Sequence, residues 1–105
     1  MENKNVNDSL DNLIKALCLD YWRRDKIISS MCAERRVDNE LRYLNFKIFD
    51  AVAEVVGEER ADKFIEEIGS SIGYAKSGID GISEGTYKRY KWLVKKNIAR
   101  RLYLH

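Results

Sequence analysis

Between Ser83 and His105 stand seven lysines and arginines, at positions 88, 89, 91, 95, 96, 100 and 101, against one carboxylate, Glu84, a formal charge of +6. The rest of the chain carries twelve basic and sixteen acidic residues, a formal −4, so a net charge of +2 over 105 residues hides an acidic body and a basic end. Lysine offers a point charge and arginine a planar fork of donors, both suited to phosphate oxygens. A cluster of this kind points to the binding of a polyanion, not to the making or breaking of bonds.

Other chemistry finds little material. The only histidine is the terminal His105, so Ser70, Ser71 and Ser77 have no base to activate them, and no catalytic residues are assigned. Cys18 and Cys32 are too few for a disulfide framework and have no zinc-ligand companions; both read as reduced, packing thiols. Their spacing of almost four helical turns rules out a bond between them within one helix. The glycines at 69, 73, 78 and 81 follow neither of the spacings that cradle a nucleotide phosphate. The acids of 58 to 67 come without the turn-borne carboxylates of a cation cage. No metal and no cofactor is expected.

The elements that position the basic cluster follow from periodicity. Ser83 is a good N-cap, able to accept from the amide of Gly85 or Thr86, with Glu84 favourably placed against the helix dipole. Tyr87, Tyr90, Val94, Ile98 and Leu102 then recur at three- and four-residue steps and share one face, the core face. Arg89, Lys96 and Arg100 fall on the opposite side, flanked by Lys88 and Lys95, while Trp92 and Leu93 lie toward the polar side.

Upstream, residues 1 to 7 read as a disordered lead. A first helix opens near Asp8 or Ser9, with Leu10, Leu13, Ile14, Leu17, Tyr21, Ile28 and Met31 as its stripe, and runs to about Cys32 or breaks near Arg24. Tyr21 and Trp22 read as packed aromatics with a charged rim. Asp38 is a plausible N-cap for a second helix, whose wide apolar face, Leu41, Leu44, Ile48, Val52 and Val55 broadened by Phe46, Phe49, Ala53 and Val56, suits the centre of a bundle. Gly57 ends it. A third helix, from Glu58 to Ile68, turns Ala61, Phe64, Ile65 and Ile68 inward and Glu58, Glu59, Asp62, Glu66 and Glu67 outward, and Gly69 closes it. A short helix is expected from Ser71 to Ser77, between turns.

The segment from Tyr74 to Leu102 resembles a helix-turn-helix: Ala75 stands in the short helix, Gly81-Ile82-Ser83 match the turn, and Ser83, Thr86 and Tyr87 match the opening of a recognition helix. It is similar to the corresponding part of small phage late-gene activators of the ArpU/RinA type, whose last helix is also rich in Tyr and Lys. Two features depart from the usual pattern: the span from Ala75 to Gly81 is longer, and Lys91 occupies a position ordinarily apolar. The resemblance implies that Ser83 and Thr86 contact phosphate and that Lys88 and Arg89 reach base edges or backbone. It also implies that Lys95, Lys96 and Arg100 contact flanking phosphates.

The expected fold is therefore all-α: one compact helical domain over residues 8 to 105, a bundle of four to five helices ending in a helix-turn-helix-like unit. With no apolar run long enough for a membrane span and no apolar core to its polar start, the chain is expected to be cytoplasmic. Two functions remain open. One is a DNA-binding transcriptional regulator of phage or mobile-element type acting on duplex DNA, with a homodimer as one form it could take. The other is a small helical protein-interaction or inhibitor module whose partner is a protein.

Overall fold

The computed structural model describes the backbone of residues 2–30 and 35–104, with side chains at 9–30 and 39–104. Four α-helices, α1 (Glu2–Ser29), α2 (Arg35–Val56), α3 (Glu58–Gly69) and α4 (Glu84–Arg101), build an all-α bundle, and there is no strand among the described residues. The expected helix over 71 to 77 is reduced to one 3-10 turn, Tyr74–Lys76. The reason is local: Ser71 is left-handed (φ 56°) as α3 ends, and Ser77 is already extended, which leaves room for a single turn.

Helix boundaries depart from expectation at two places, the starts of α1 and α2. α1 is already helical at Glu2, so residues 2 to 7 belong to it and not to a lead without regular structure, and it continues unbroken through Arg24. α2 begins at Arg35, which puts Asp38 inside the helix and not at its N-cap. Met31 and Cys32 lie outside the described residues. Gly57, at φ 90°, ends α2 as a left-handed stop, its amide donating to the Ala53 carbonyl.

The core gathers Ile14, Cys18 and Tyr21 from α1, Ile48, Ala51, Val52 and Val56 from α2, Ala61, Phe64, Ile65 and Ile68 from α3, and Tyr87, Val94, Ile98 and Ala99 from α4. Each large side chain removed from water contributes about 1.5–3 kcal/mol. α2 sits centrally, packing on α1, α3 and α4, whereas α1 packs more on α3 than on α4. Burial pushes the Cys18 thiol up to about 12, so it stays protonated at neutral pH and packs as a small apolar group.

Gly69, expected to close α3, is instead its last residue, the C-cap being Ser70 and the left-handed residue Ser71; what Gly69 serves is close approach. A Cβ there would lie 2.6 Å from the Leu19 amide nitrogen and 2.8 Å from its Cα, so the missing side chain is what lets α1 and α3 cross this tightly. α1 carries a second unexpected feature. Arg24 is only 3% exposed, with Nε donating to Asn45 Oδ1 (2.6 Å), Nη1 to Asp20 (2.9 Å) and Nη2 to the Leu17 carbonyl (2.7 Å). Asn45 in turn donates to the Tyr21 carbonyl at 3.1 Å. A buried guanidinium is tolerated because its donors are matched by acceptors.

Candidate nucleic-acid interface

α4 begins as its residues dictate. Ser83 is extended (φ −77°, ψ 166°), and its hydroxyl oxygen accepts from the Thr86 amide at 3.2 Å while donating to Thr86 Oγ1 at 3.1 Å. Both side chains are thereby engaged in the cap, at the exposed tip of the helix. Tyr87, Val94 and Ile98 are buried and Tyr90 and Leu102 half-buried, so the inward stripe falls where the spacing put it.

Glu67, expected on the outer face of α3, is instead 3% exposed and organises the connection into α4. Its Oε1 accepts from the Ser77 hydroxyl and the Tyr87 hydroxyl, both at 2.7 Å, and its Oε2 from the Gly78 amide at 2.7 Å. Burial pushes this carboxyl's pKa up, but the donors of Ser77, Tyr87 and Gly78 outweigh it and hold the group below the ordinary glutamate value. On a helical projection Glu67 borders Phe64 and Ile68, at the edge of the buried face. The amide-rich turn that follows α3 was the signal that an acceptor was needed there.

Lys91 takes its place in the same junction. Its Nζ lies 5.3 Å from the Tyr87 ring centroid and donates at 2.8 Å to the Ile72 carbonyl, whose oxygen also lies 3.1 Å from the Tyr87 hydroxyl oxygen. A lysine in a slot ordinarily apolar is thus satisfied by a carbonyl left over at the end of α3. Burial lowers its pKa.

The remaining cations of α4 divide into two groups. Lys95, Arg100 and Arg101 serve the bundle. Lys95 is half-buried and pairs with Asp11 of α1 at 2.8 Å, Arg100 pairs with Glu54 of α2 at 3.2 Å, and Arg101 holds both Asp50 and Glu54. Between them the buried Asn97 donates to the Ala51 carbonyl and to Glu54 Oε1, each at 2.8 Å. Hydrogen bonds from Asn97 and Arg101 hold the Glu54 pKa low. Much of the charge contrast seen in the sequence is therefore resolved inside the molecule.

The second group faces away from it. Lys88 is 71% exposed and, among the described residues, paired only with Glu84 of its own helix at 3.0 Å. Arg89 is exposed and has no ion pair among the described residues. Lys96 is exposed, its Nζ 4.4 Å from the ring centroid of Trp92, which is itself 57% exposed. Positions 89, 92 and 96 follow at three- and four-residue steps and form one stripe directly opposite Val94 and Ile98. Of the seven sequence candidates, then, Lys88, Arg89 and Lys96 project outward unclaimed by other helices, Arg100 is exposed but tied to α2, Lys95 is turned to α1, and Ser83 and Thr86 form the cap.

Among the described residues there is no cluster of His, Cys, Asp or Glu able to hold a metal ion, and no helix is long and apolar enough to cross a membrane. No family model, curated protein or solved structure matches the chain.

Proposed function

We propose that the chain is a small DNA-binding protein, a transcriptional regulator of phage or mobile-element type, in which α4 enters the major groove. The observation that carries this reading is the uncovered outer stripe of α4, with Arg89 and Lys96 pointing away from the bundle and Lys88 beside them near the helix start. A helix presented this way fits the width of the major groove, and an arginine near its start can pair bidentately with guanine. α3, the turn through Tyr74–Lys76 and α4 then form the docking unit, in the manner the helix-turn-helix resemblance implies. The Glu67 staple keeps the turn fixed against α4. A dimer would read half-sites about 34 Å apart or a multiple of that.

Binding to duplex DNA, titrated against salt, tests it. Affinity should fall as salt rises, with a log–log slope of about 0.9 per phosphate contacted, and changing Lys88 and Arg89 together to Ala should weaken it. Absence of duplex binding by the native chain at low salt would overturn the proposal.

The second reading, a module that binds another protein, is favoured by a different observation. Phe46 is 65% exposed and borders a shallow cavity of about 330 Å³ between α1 and α2, lined also by Tyr21, Ile28 and Phe49. Retention of a co-purifying protein that is lost on Phe46→Ala, together with no duplex binding, would favour it.

A further inference from the structure

We infer that Trp92 reads DNA directly, making apolar contact with the C5-methyl group of a thymine in the major groove between the base pairs reached by Arg89 and Lys96. This rests on the reading of α4 as the groove-entering helix.

Tryptophan is ordinarily well buried, and its indole is costly to leave in water. Trp92 nevertheless stands at the centre of the outward stripe, on the opposite side of α4 from Val94 and Ile98, and has no place in the core. Its neighbours on that stripe are cations, Arg89 one turn before and Lys96 one turn after, with no carboxylate between them. That pairing of an apolar plate with flanking positive charge complements a groove whose walls are phosphates and whose floor carries one apolar group, the thymine methyl.

The dimensions agree. From Arg89 to Lys96 the helix rises about 10 Å, close to three base-pair steps of roughly 3.4 Å each. Trp92, about 4.5 Å beyond Arg89 along the axis, faces one of the two base pairs that lie between those its neighbours reach. Lys96 Nζ covers one face of the indole at 4.4 Å, which leaves the other face and the ring edge for a ligand. The indole has one donor and no acceptor, so its discrimination is by apolar fit.

The experiment begins with randomised 30-base-pair duplexes, enriched on the full-length native protein and resynthesised with each thymine replaced in turn by deoxyuridine, which lacks only the methyl group. The expected result is a loss of about fourfold in affinity for at least one replacement, the worth of one buried methyl. Trp92→Ala should bind the selected duplex more weakly and show no preference between thymine and deoxyuridine, whereas Trp92→Phe should keep part of it. Melting temperatures of both variants, expected to match the native protein, confirm that the fold is intact. Indifference of the native protein to every replacement, or an undiminished preference in Trp92→Ala, overturns the inference while salt-dependent binding leaves the DNA reading standing. If the native protein enriches no duplex and binds none at low salt, both fail together.

Discussion

The hydroxyl of Tyr87, in the first turn of α4, donates at 2.7 Å to Oε1 of Glu67, near the end of α3. Through this one contact a carboxylate from an acidic helix fixes the start of the basic one. The other oxygen and the remaining lone pairs collect the intervening turn through Ser77 and Gly78. An ionised group can be buried here because three donors, from Ser77, Tyr87 and Gly78, converge on it.

Stability should therefore depend on pH at both ends of the range. Glu67 titrates below its ordinary value in the folded state, so its contribution is complete above the unfolded glutamate pKa, near 4.5, and is lost as pH falls through the folded one. Tyr87 is pushed up to about 12, first by burial and then by Glu67. Its contribution is complete below the unfolded tyrosine pKa, near 10, and is lost as pH rises toward 12. Glu67→Gln should lower unfolding free energy by about 1–3 kcal/mol at pH 7 and flatten the acid limb in urea melts from pH 3 to 8. An acid limb as steep as that of the native protein would show that Glu67 does not set it.

Gly69→Ala should destabilise the bundle by about 1–3 kcal/mol or more, because the new methyl would meet Leu19 backbone at 2.6 Å and backbone cannot rotate aside. Gly73→Ala, with nothing within 4 Å of its Cβ, is the matched control and should be close to neutral. Urea midpoints compare the two directly. Equal midpoints would mean that α1 and α3 can separate at little cost.

The Arg24–Asn45 pair invites a double-mutant cycle. Asn45→Leu takes away the acceptor at 2.6 Å from Arg24 Nε and should cost about 1–3 kcal/mol, since the guanidinium stays buried with a donor unmatched. Arg24→Met together with Asn45→Leu should recover part of the loss, because an apolar pair of similar volume carries no unmet donor. Strict additivity in denaturant melts would argue that the two residues act independently.

The cations of α4 should separate in their effects. If Lys88, Arg89 and Lys96, on entering the groove, each displace about one counterion from the phosphates that wall it, the log–log salt slope is about −2.7, against about −6.3 if all seven basic residues took part. Arg101→Ala should leave the slope unchanged and lower the melting temperature, as it removes the partner of Asp50 and Glu54. Arg89→Ala should do the reverse. A slope near −6 would mean that the bonds from Lys95, Arg100 and Arg101 to α1 and α2 open on binding.

How much of this was legible before folding differs from element to element. The cap at Ser83, the inward series Tyr87, Val94 and Ile98, and the core residues of α3 follow from local rules: an acceptor before a helix start, and apolar residues at a period near 3.6. The boundaries of α1 and the 3-10 turn were less legible, because polar residues at a helix start and glycine-rich turns obey weak local preferences that packing overrides. Glu67 and Arg24 were misplaced or unassigned for a related reason. Charge alone favours solvent, and only partners distant in sequence, such as Tyr87 and Asn45, make burial acceptable.

What the sequence determined by itself is a helical chain with an acidic body and a capped, amphipathic, basic last helix, since composition and periodicity are properties of neighbours along the chain. Which of those cations remain for a partner is a decision of the tertiary structure. It matches Lys95, Arg100 and Arg101 to carboxylates of α1 and α2, and leaves Lys88, Arg89 and Lys96 outside with Trp92. The physical reason is that a charge near an acid on a packed neighbour is largely neutralised, whereas one on the far face of the same helix keeps its field for solvent and whatever approaches through it.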